Sequence, residues 1–103
     1  MGFAAYPGAR ELCDQYVVGS SAHRRVEIHW RSFASRDAFA DVAAFYVKRE
    51  PKNAERKSDS LEVHHGANQI LTVSTASNKE LPSCATKPKP TERSVIVVSA
   101  KTE

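Results

Sequence analysis

The 103-residue chain lacks the features that mark membrane, metal-binding and phosphate-binding proteins. No apolar run approaches the roughly 20 residues that a membrane-spanning helix needs, so we expect no membrane partner. The four glycines form neither a phosphate-cradling loop nor a Gly-x-Ser-x-Gly turn. The two cysteines lack the Cys-x-x-Cys spacing of zinc and redox sites. These absences argue against an enzyme, and we expect no cofactor.

An excess of one charge is confined to a single stretch. The net charge is +3, with 15 basic and 12 acidic side chains. Residues 48–57 contain five basic side chains and only two acidic ones, so this stretch accounts for the whole excess. A basic loop of this kind is most often solvated, and we therefore do not expect a nucleic-acid partner. The basic residues of this loop are Lys48, Arg49, Lys52, Arg56 and Lys57.

The length and an apolar content of 41% predict one domain over residues 1–103. Residues 1–10 form an N-terminal arm in this interpretation, and residues 76–92 form a long loop because they contain three prolines. Runs of alternating or continuous apolar residues predict five strands. The strands are expected at residues 11–18, 25–35, 60–65, 69–75 and 93–100.

The second strand has the clearest period of two. One of its faces is apolar and the other is polar, and because side chains alternate along a strand we expect the apolar face to pack and the polar face to meet water. The apolar face carries Val26, Ile28, Trp30 and Ala34, and the polar face carries Arg25, Glu27, His29 and Arg31.

A helix is expected between the second and third strands. Four apolar residues at helical spacing predict its buried stripe, namely Phe39, Val42, Ala43 and Tyr46. We expect Ser35 or Asp37 to cap its N-terminus, and Pro51 to end it at or before Glu50. The sequence thus predicts an α+β domain with a mostly antiparallel five-stranded sheet and one helix packed on one face, in the order β-β-α-β-β-β.

A single helix leaves the second face of the sheet without cover. The run Val95–Val98 is apolar on both faces, as in a central strand, and Phe33 and Ile70 are expected to point away from the helix. The arm with Phe3 and Tyr6, the proline-containing loop or a second subunit could supply the cover. We expect a homodimer through the sheet, because an exposed apolar sheet face is a common self-association surface.

The two cysteines leave two alternatives open. A Cys13–Cys84 disulfide would stabilise the domain by about 4 kcal/mol in the chain-entropy model, whereas two reduced cysteines would behave as small apolar residues. The first residues lack the basic and apolar regions of a secretory signal. We therefore expect a cytoplasmic protein if Met1 is the native start, and an exported one if a leader has been removed.

Four residues could form a His/carboxylate patch on the sheet. If the second and third strands pair, His29 could meet His64, with Glu27 or Glu62 beside them. Such a patch could bind a metal ion or move protons, as a small-molecule or metal-dependent enzyme requires.

Aromatic and basic side chains suggest a second alternative, a small nucleic-acid-binding protein. Trp30 and Phe33 could stack on bases, while Arg24, Arg25 and Arg31 could contact phosphates. Against this, Trp30 shares its face with apolar neighbours and is therefore expected to be a core residue.

Three features of the chain occur together: the segment Tyr6–Ala9, a strand–helix unit from Trp30 to Tyr46, and Pro-Ser-Cys at residues 82–84 ahead of the apolar strand Ser94–Val98. In this combination the chain resembles small uncharacterised bacterial α+β domains that recur as secreted or lipoprotein modules, and the orphan proteins carried by integron gene cassettes. The resemblance implies a helix followed by a hairpin and a terminal strand, and it implies no catalytic residues.

These features together predict a small non-catalytic binding or protein-interaction module that self-associates. Its contact surface is expected to be the sheet face or the proline-containing loop. The sequence identifies no small-molecule ligand for it.

Overall fold

The computed structural model describes residues 2–77 and 86–102, and in this part the chain forms six strands and one helix. No helix of the described residues is long and apolar enough to cross a membrane. The first two strands are the longest, with 12 residues each. The elements are β1 (Arg10–Ser21), β2 (Arg24–Ser35), α1 (Phe39–Arg49), β3 (Ala54–Arg56), β4 (Ser60–His65), β5 (Gln69–Thr75) and β6 (Ser94–Thr102).

The strands form one antiparallel sheet in the order β1-β2-β6-β5-β4-β3. The expectation of five strands in the order β-β-α-β-β-β is wrong, because the short strand β3 precedes β4 and pairs with it. Its three residues, Ala-Glu-Arg, show no apolar alternation. This segment is a strand because it pairs with β4, Ala54 with Val63, Glu55 with Glu62 and Arg56 with Leu61, and local sequence does not encode that pairing.

The β1–β2 hairpin is closed by a tight turn. Ala22 and His23 both have positive φ angles, of 51° and 67°. A two-residue turn with this backbone matches the right-handed twist of the two strands that it joins. At the other end of the hairpin, a register shift between Glu11 and Cys13 forms a β-bulge.

The main core lies between α1 and one face of the sheet. All four residues of the predicted stripe on α1 are buried, which confirms the helical spacing. They pack against six apolar side chains of β4, β5 and β6: Leu61, Val63, Leu71, Val73, Ile96 and Val98.

The sequence predicted the C-terminal end of α1 but not its N-terminal cap. The N-cap residue is Ala38, which makes no side-chain capping bond, so the expected cap by Ser35 or Asp37 is wrong. The Ser35 hydroxyl instead accepts a hydrogen bond from the backbone N–H of Asp37 (3.1 Å), ahead of the helix. At the other end, Glu50 is the C-cap residue directly before Pro51, as predicted.

The N-terminal arm, residues 2–9, lies on the same face of the sheet as α1. The ring of Phe3 stacks on His65 of β4, with 4.0 Å between ring centroids. The buried hydroxyl of Tyr46 on α1 donates a hydrogen bond to the carbonyl of Ala4 (2.8 Å). The arm therefore extends the cover that α1 gives to this face, and the idea that it covers the second face is wrong.

The second face of the sheet is the one that carries the apolar residues of β2. Phe33 pairs with the core residue Ile96 and packs against the core, so the expectation that Phe33 points away from the helix is wrong. Its neighbour Ala34 faces the other way and is buried, as is Val95 of β6. Ile28, near the end of β2, is 37% exposed. The second face of β2 is thus buried at Ala34, near its C-terminal end, and exposed at Ile28, towards the hairpin turn.

Candidate functional site

The sheet order keeps the predicted histidine patch apart. β6 and β5 lie between β2, which carries His29, and β4, which carries His64. His64 lines a shallow depression on the second face together with Ile28 and Ile70. His29 lies on the α1 side, because it alternates with Ile28 along β2. The structure therefore does not bring His29 and His64 together.

The two acidic residues of that patch have other neighbours. Glu27 is paired with Arg25 on its own strand, with 3.0 Å between Oε1 and Nη2. Glu62 lies 3.4 Å from His64, measured from Oε2 to Nε2. Within residues 2–77 and 86–102, no group of three or more His, Cys, Asp or Glu side chains is placed to hold a metal ion.

The polar face of β2 contacts β1 through a β1–β2 ion cluster, which consists of Glu11, Asp14, His29 and Arg31. The Nε2 atom of His29 is 2.5 Å from Oδ1 of Asp14. The Nε atom of Arg31 donates to Oε1 of Glu11 (3.2 Å) and lies 3.6 Å from Oδ2 of Asp14. The hydrogen bond to Glu11 is the main reason why the pKa of Arg31 is raised.

The β1–β2 ion cluster links the two strands of the hairpin, and we assign it a structural role. Tyr16 stacks flat on His29, with ring centroids 4.2 Å apart, so the imidazole is held between β1 and β2. Each of these partly exposed ion pairs contributes only about 0–1 kcal/mol to stability. Two carboxylates, those of Glu11 and Asp14, lie beside the single guanidinium of Arg31, and the stacking on His29 positions Tyr16 on the outer strand of the sheet.

The predicted disulfide involves one described residue and one that is not. Cys13 is buried in β1, where it pairs with Ser32 of β2, and it is not a free thiol. Cys84 lies outside the described residues. The Cys13–Cys84 disulfide therefore stays a prediction.

The basic stretch is not one loop. It runs from the last turn of α1, with Lys48 and Arg49, through Lys52 to β3 and Lys57. Two of its guanidinium groups lie over aromatic rings, because Arg49 is 4.0 Å from the ring centroid of Phe45 and Arg56 is 5.3 Å from that of Phe39. These side chains cover apolar surface of the helix, which is a structural role for part of the basic excess.

The aromatic platform for nucleic acid is not assembled either. Trp30 lies on the second face, whereas Phe33 packs against the core on the α1 side. Arg31 belongs to the β1–β2 ion cluster. The two rings that would have stacked on bases therefore point to opposite sides of the sheet.

The outer edge of β1 is the surface that sequence reasoning missed. The exposed large hydrophobic residues of the described chain all lie near the free end of the β1–β2 hairpin: Tyr16 (72% exposed), Val17 (49%), Val18 (55%) and Ile28 (37%). Within residues 2–77 and 86–102, β1 is an edge strand, and no strand of this part of the chain pairs with its outer side. In the described part of the chain, exposed apolar side chains thus occur on residues 16–18 of a strand that has no strand neighbour on its outer side.

One signal of this edge is present in the sequence. From Gln15 to Ser21 the chain has no charge and no proline, and it includes three consecutive apolar residues. When such a run forms an edge strand, it is normally covered by other parts of the protein or interrupted by a charged residue, a proline or a bulge. The run alone did not identify the surface, since its exposure depends on β1 being at the edge of the sheet.

Comparison with protein-family models, with curated proteins and with solved structures finds no match for this chain. The resemblance to secreted bacterial modules and integron-cassette proteins therefore stays a prediction.

Proposed function

We propose that this protein is a non-catalytic interaction module that self-associates through the outer edge of β1. The observation that carries the proposal is the cluster of exposed apolar side chains on an edge strand with an uncharged segment, residues 15–21. Proteins that stay monomeric normally protect such an edge with charge, proline or a bulge. The single bulge of β1 lies at its other end, between Glu11 and Cys13.

A second copy of the chain is the partner that this edge fits. Two copies of β1 can pair antiparallel about a two-fold axis, which extends the sheet across the interface. With the axis at Val17, each Val17 faces its own counterpart, and Tyr16 of one copy faces Val18 of the other. Asp14 then lies opposite Ser20, so no like charges oppose one another across the new ladder.

The proposed contact differs from the sheet-face dimer that the sequence suggested. On the second face, Ala34 and Val95 are already buried within one chain. Among the described residues, the exposed large hydrophobic side chains of this face are Val17 and Ile28, which pair with each other towards the hairpin turn. Edge pairing satisfies backbone groups as well as apolar side chains, and a face contact satisfies only the side chains.

Sedimentation velocity over a wide concentration range tests this proposal. We expect the wild-type chain to dimerise, and Val17→Lys to shift the equilibrium towards the monomer because a charge would then face its counterpart across the two-fold axis. The matched control is Ala44→Lys, which adds the same charge on the exposed side of α1 and is expected to leave the dimer intact.

Two outcomes would reject the proposal. One is a wild-type chain that stays monomeric at every concentration. The other is a dimer that Val17→Lys weakens no more than Ala44→Lys does. Circular dichroism of each variant checks that the lysine has not unfolded the hairpin.

A further inference from the structure

A cavity of about 150 Å³ lies beneath the N-terminal arm. Phe33, Ile96 and Val98 on the sheet form its floor, and Tyr46 of α1 forms one wall. The arm covers it with three alanines, including Ala9, and with the side chains of Phe3 and Tyr6. A largely apolar cavity of about 150 Å³ is large enough to hold a benzene ring.

The arm that closes this cavity is held in place at several points. The phenol of Tyr6 donates a hydrogen bond to the carboxylate of Asp37, and its ring meets Phe45 edge-on with 5.0 Å between centroids. Together with the Phe3–His65 stacking, these contacts hold the arm away from the sheet floor. The space is therefore bounded by anchored groups.

Among the described residues, Arg31 is the one charged side chain that lines the cavity. Its guanidinium carbon lies 5.1 Å from the centroid of Phe33, which is also part of the floor. The hydrogen bond from Arg31 to Glu11 uses Nε, and a guanidinium has four further N–H donors on its terminal nitrogens. The hydroxyl of Tyr46 already donates to the arm, which leaves Arg31 as the strongest donor at this site.

The surrounding charges decide what kind of ligand fits. Glu11 and Asp14 lie 3.2 and 3.6 Å from Arg31 Nε, so two carboxylates oppose the positive charge of one guanidinium. An anionic ligand would meet a net negative environment, whereas a neutral oxygen acceptor would not. We propose that this cavity binds a small neutral aromatic molecule whose single carbonyl or hydroxyl oxygen accepts a hydrogen bond from Arg31.

An NMR titration of the ¹⁵N-labelled full chain tests the ligand class with two probes. Acetophenone combines a ring with a neutral carbonyl, and benzoate combines a ring of the same size with a carboxylate. We expect saturable shifts with acetophenone at the arm and at Phe33, and at least about tenfold weaker binding of benzoate, the size of effect that one unfavourable charge contact gives. Benzoate binding as tightly as acetophenone would overturn the choice of a neutral ligand.

Variants test whether the cavity itself is the site. Arg31→Met keeps a long side chain but removes the donor, and we expect acetophenone to bind about tenfold more weakly. Its matched control is Arg25→Met, on the same face of β2 but away from the cavity, which should bind as the wild type does. Ala9→Leu fills the space and should abolish binding.

Three results would overturn the site. They are an absence of saturable shifts in the wild type, unchanged affinity in both Arg31→Met and Ala9→Leu, and an equal loss in Arg25→Met. Thermal melting of each variant separates a lost site from a lost fold.

Discussion

Arg10 at the start of β1 and Glu92, two residues before β6, form a two-point ion pair. Nη2 of Arg10 is 2.6 Å from Oε1 of Glu92, and its Nε is 3.1 Å from Oε2. The backbone N–H of Lys89 donates to the same carboxylate (2.7 Å). The residue Glu92 is buried, so this pair ties the segment that enters β6 to the outer strand of the sheet.

The first prediction is a loss of stability in acid that depends on Glu92. The hydrogen bond from Arg10 lowers the pKa of Glu92 from 4.5 to about 2. Because the folded pKa lies below the unfolded one, the stabilisation is complete above pH 4.5 and is lost as the pH falls towards 2. Urea unfolding at a series of pH values should show this decline in the wild type.

The variant Glu92→Gln should remove that part of the acid dependence. At neutral pH we expect it to lower the free energy of unfolding by roughly 1–2 kcal/mol, since a charge-assisted hydrogen bond contributes more than a neutral one. Asp59→Asn, at an exposed position directly before β4, is the control and should change little. An unchanged acid limb in Glu92→Gln would contradict the role of this pair.

The second prediction concerns alkaline titration of two tyrosines. The hydrogen bond to Asp37 raises the pKa of Tyr6 to about 12, and burial raises that of Tyr46 to about 12. Each phenol favours its protonated form in the folded state, so this stabilisation is full below pH 10 and is lost as the pH rises towards 12. Phenolate absorbance should show both groups ionising near pH 12, and Tyr6→Phe should remove one of these two steps.

Local sequence patterns predicted the elements whose own residues determine them. The apolar stripe of α1 is buried because helical spacing puts Phe39 and Tyr46 on the same side of the helix. Pro51 ends the helix whatever its tertiary surroundings, because proline cannot continue the helical hydrogen bonds. The alternation of β2 is likewise observed, with Phe33 and Ala34 on opposite faces. In these cases, the residues of a single helix or a single strand are enough to predict which side chains share a face.

The remaining features depend on which distant segments become neighbours. β6 enters the sheet between β2 and β5, and this insertion separates His29 from His64. The same topology leaves β1 at the edge and so exposes Tyr16. No periodicity within a strand encodes its neighbours, which is why the candidate surface could not be located from the sequence.

The third prediction compares two buried serines in neighbouring strands. Ser74 of β5 is 1% exposed, and its hydroxyl has no hydrogen-bond partner among the described residues. Ser94 of β6 is fully buried, but its hydroxyl donates to the carbonyl of Asp37 (2.9 Å). We expect Ser74→Ala to be neutral or stabilising by up to about 1 kcal/mol, and Ser94→Ala to destabilise by about 1–2 kcal/mol.

Thermal melting of the two alanine variants measures this difference directly. The two changes remove the same atom from equally buried sites, so packing losses cancel in the comparison. Equal melting temperatures for the two variants would contradict the assigned hydrogen bonding.

The fourth prediction is that the hairpin turn is strained and can be improved. Ala22 and His23 adopt positive φ, which costs an ordinary side chain about 1–2 kcal/mol per residue. The double variant Ala22→Asn with His23→Gly should raise the free energy of unfolding by about 1 kcal/mol, because Asn-Gly favours this turn. Urea denaturation measures the gain. As a control, Ala44→Gly in the middle of the exposed side of α1 should lower the free energy of unfolding by about 1 kcal/mol. A loss of stability in the turn variant as well would contradict the proposed strain.

The fifth prediction is that Cys13 and Cys84 form a disulfide in the oxidised protein. Intact mass measured before and after reduction should differ by two hydrogen atoms, and reduction should lower the melting temperature, because the crosslink contributes about 4 kcal/mol in the chain-entropy model. The double variant Cys13→Ala with Cys84→Ala is the control, since reductant should leave its melting temperature unchanged. A wild-type mass that does not change on reduction would show that the two cysteines are unpaired, and the buried Cys13 would then contribute only through packing in β1.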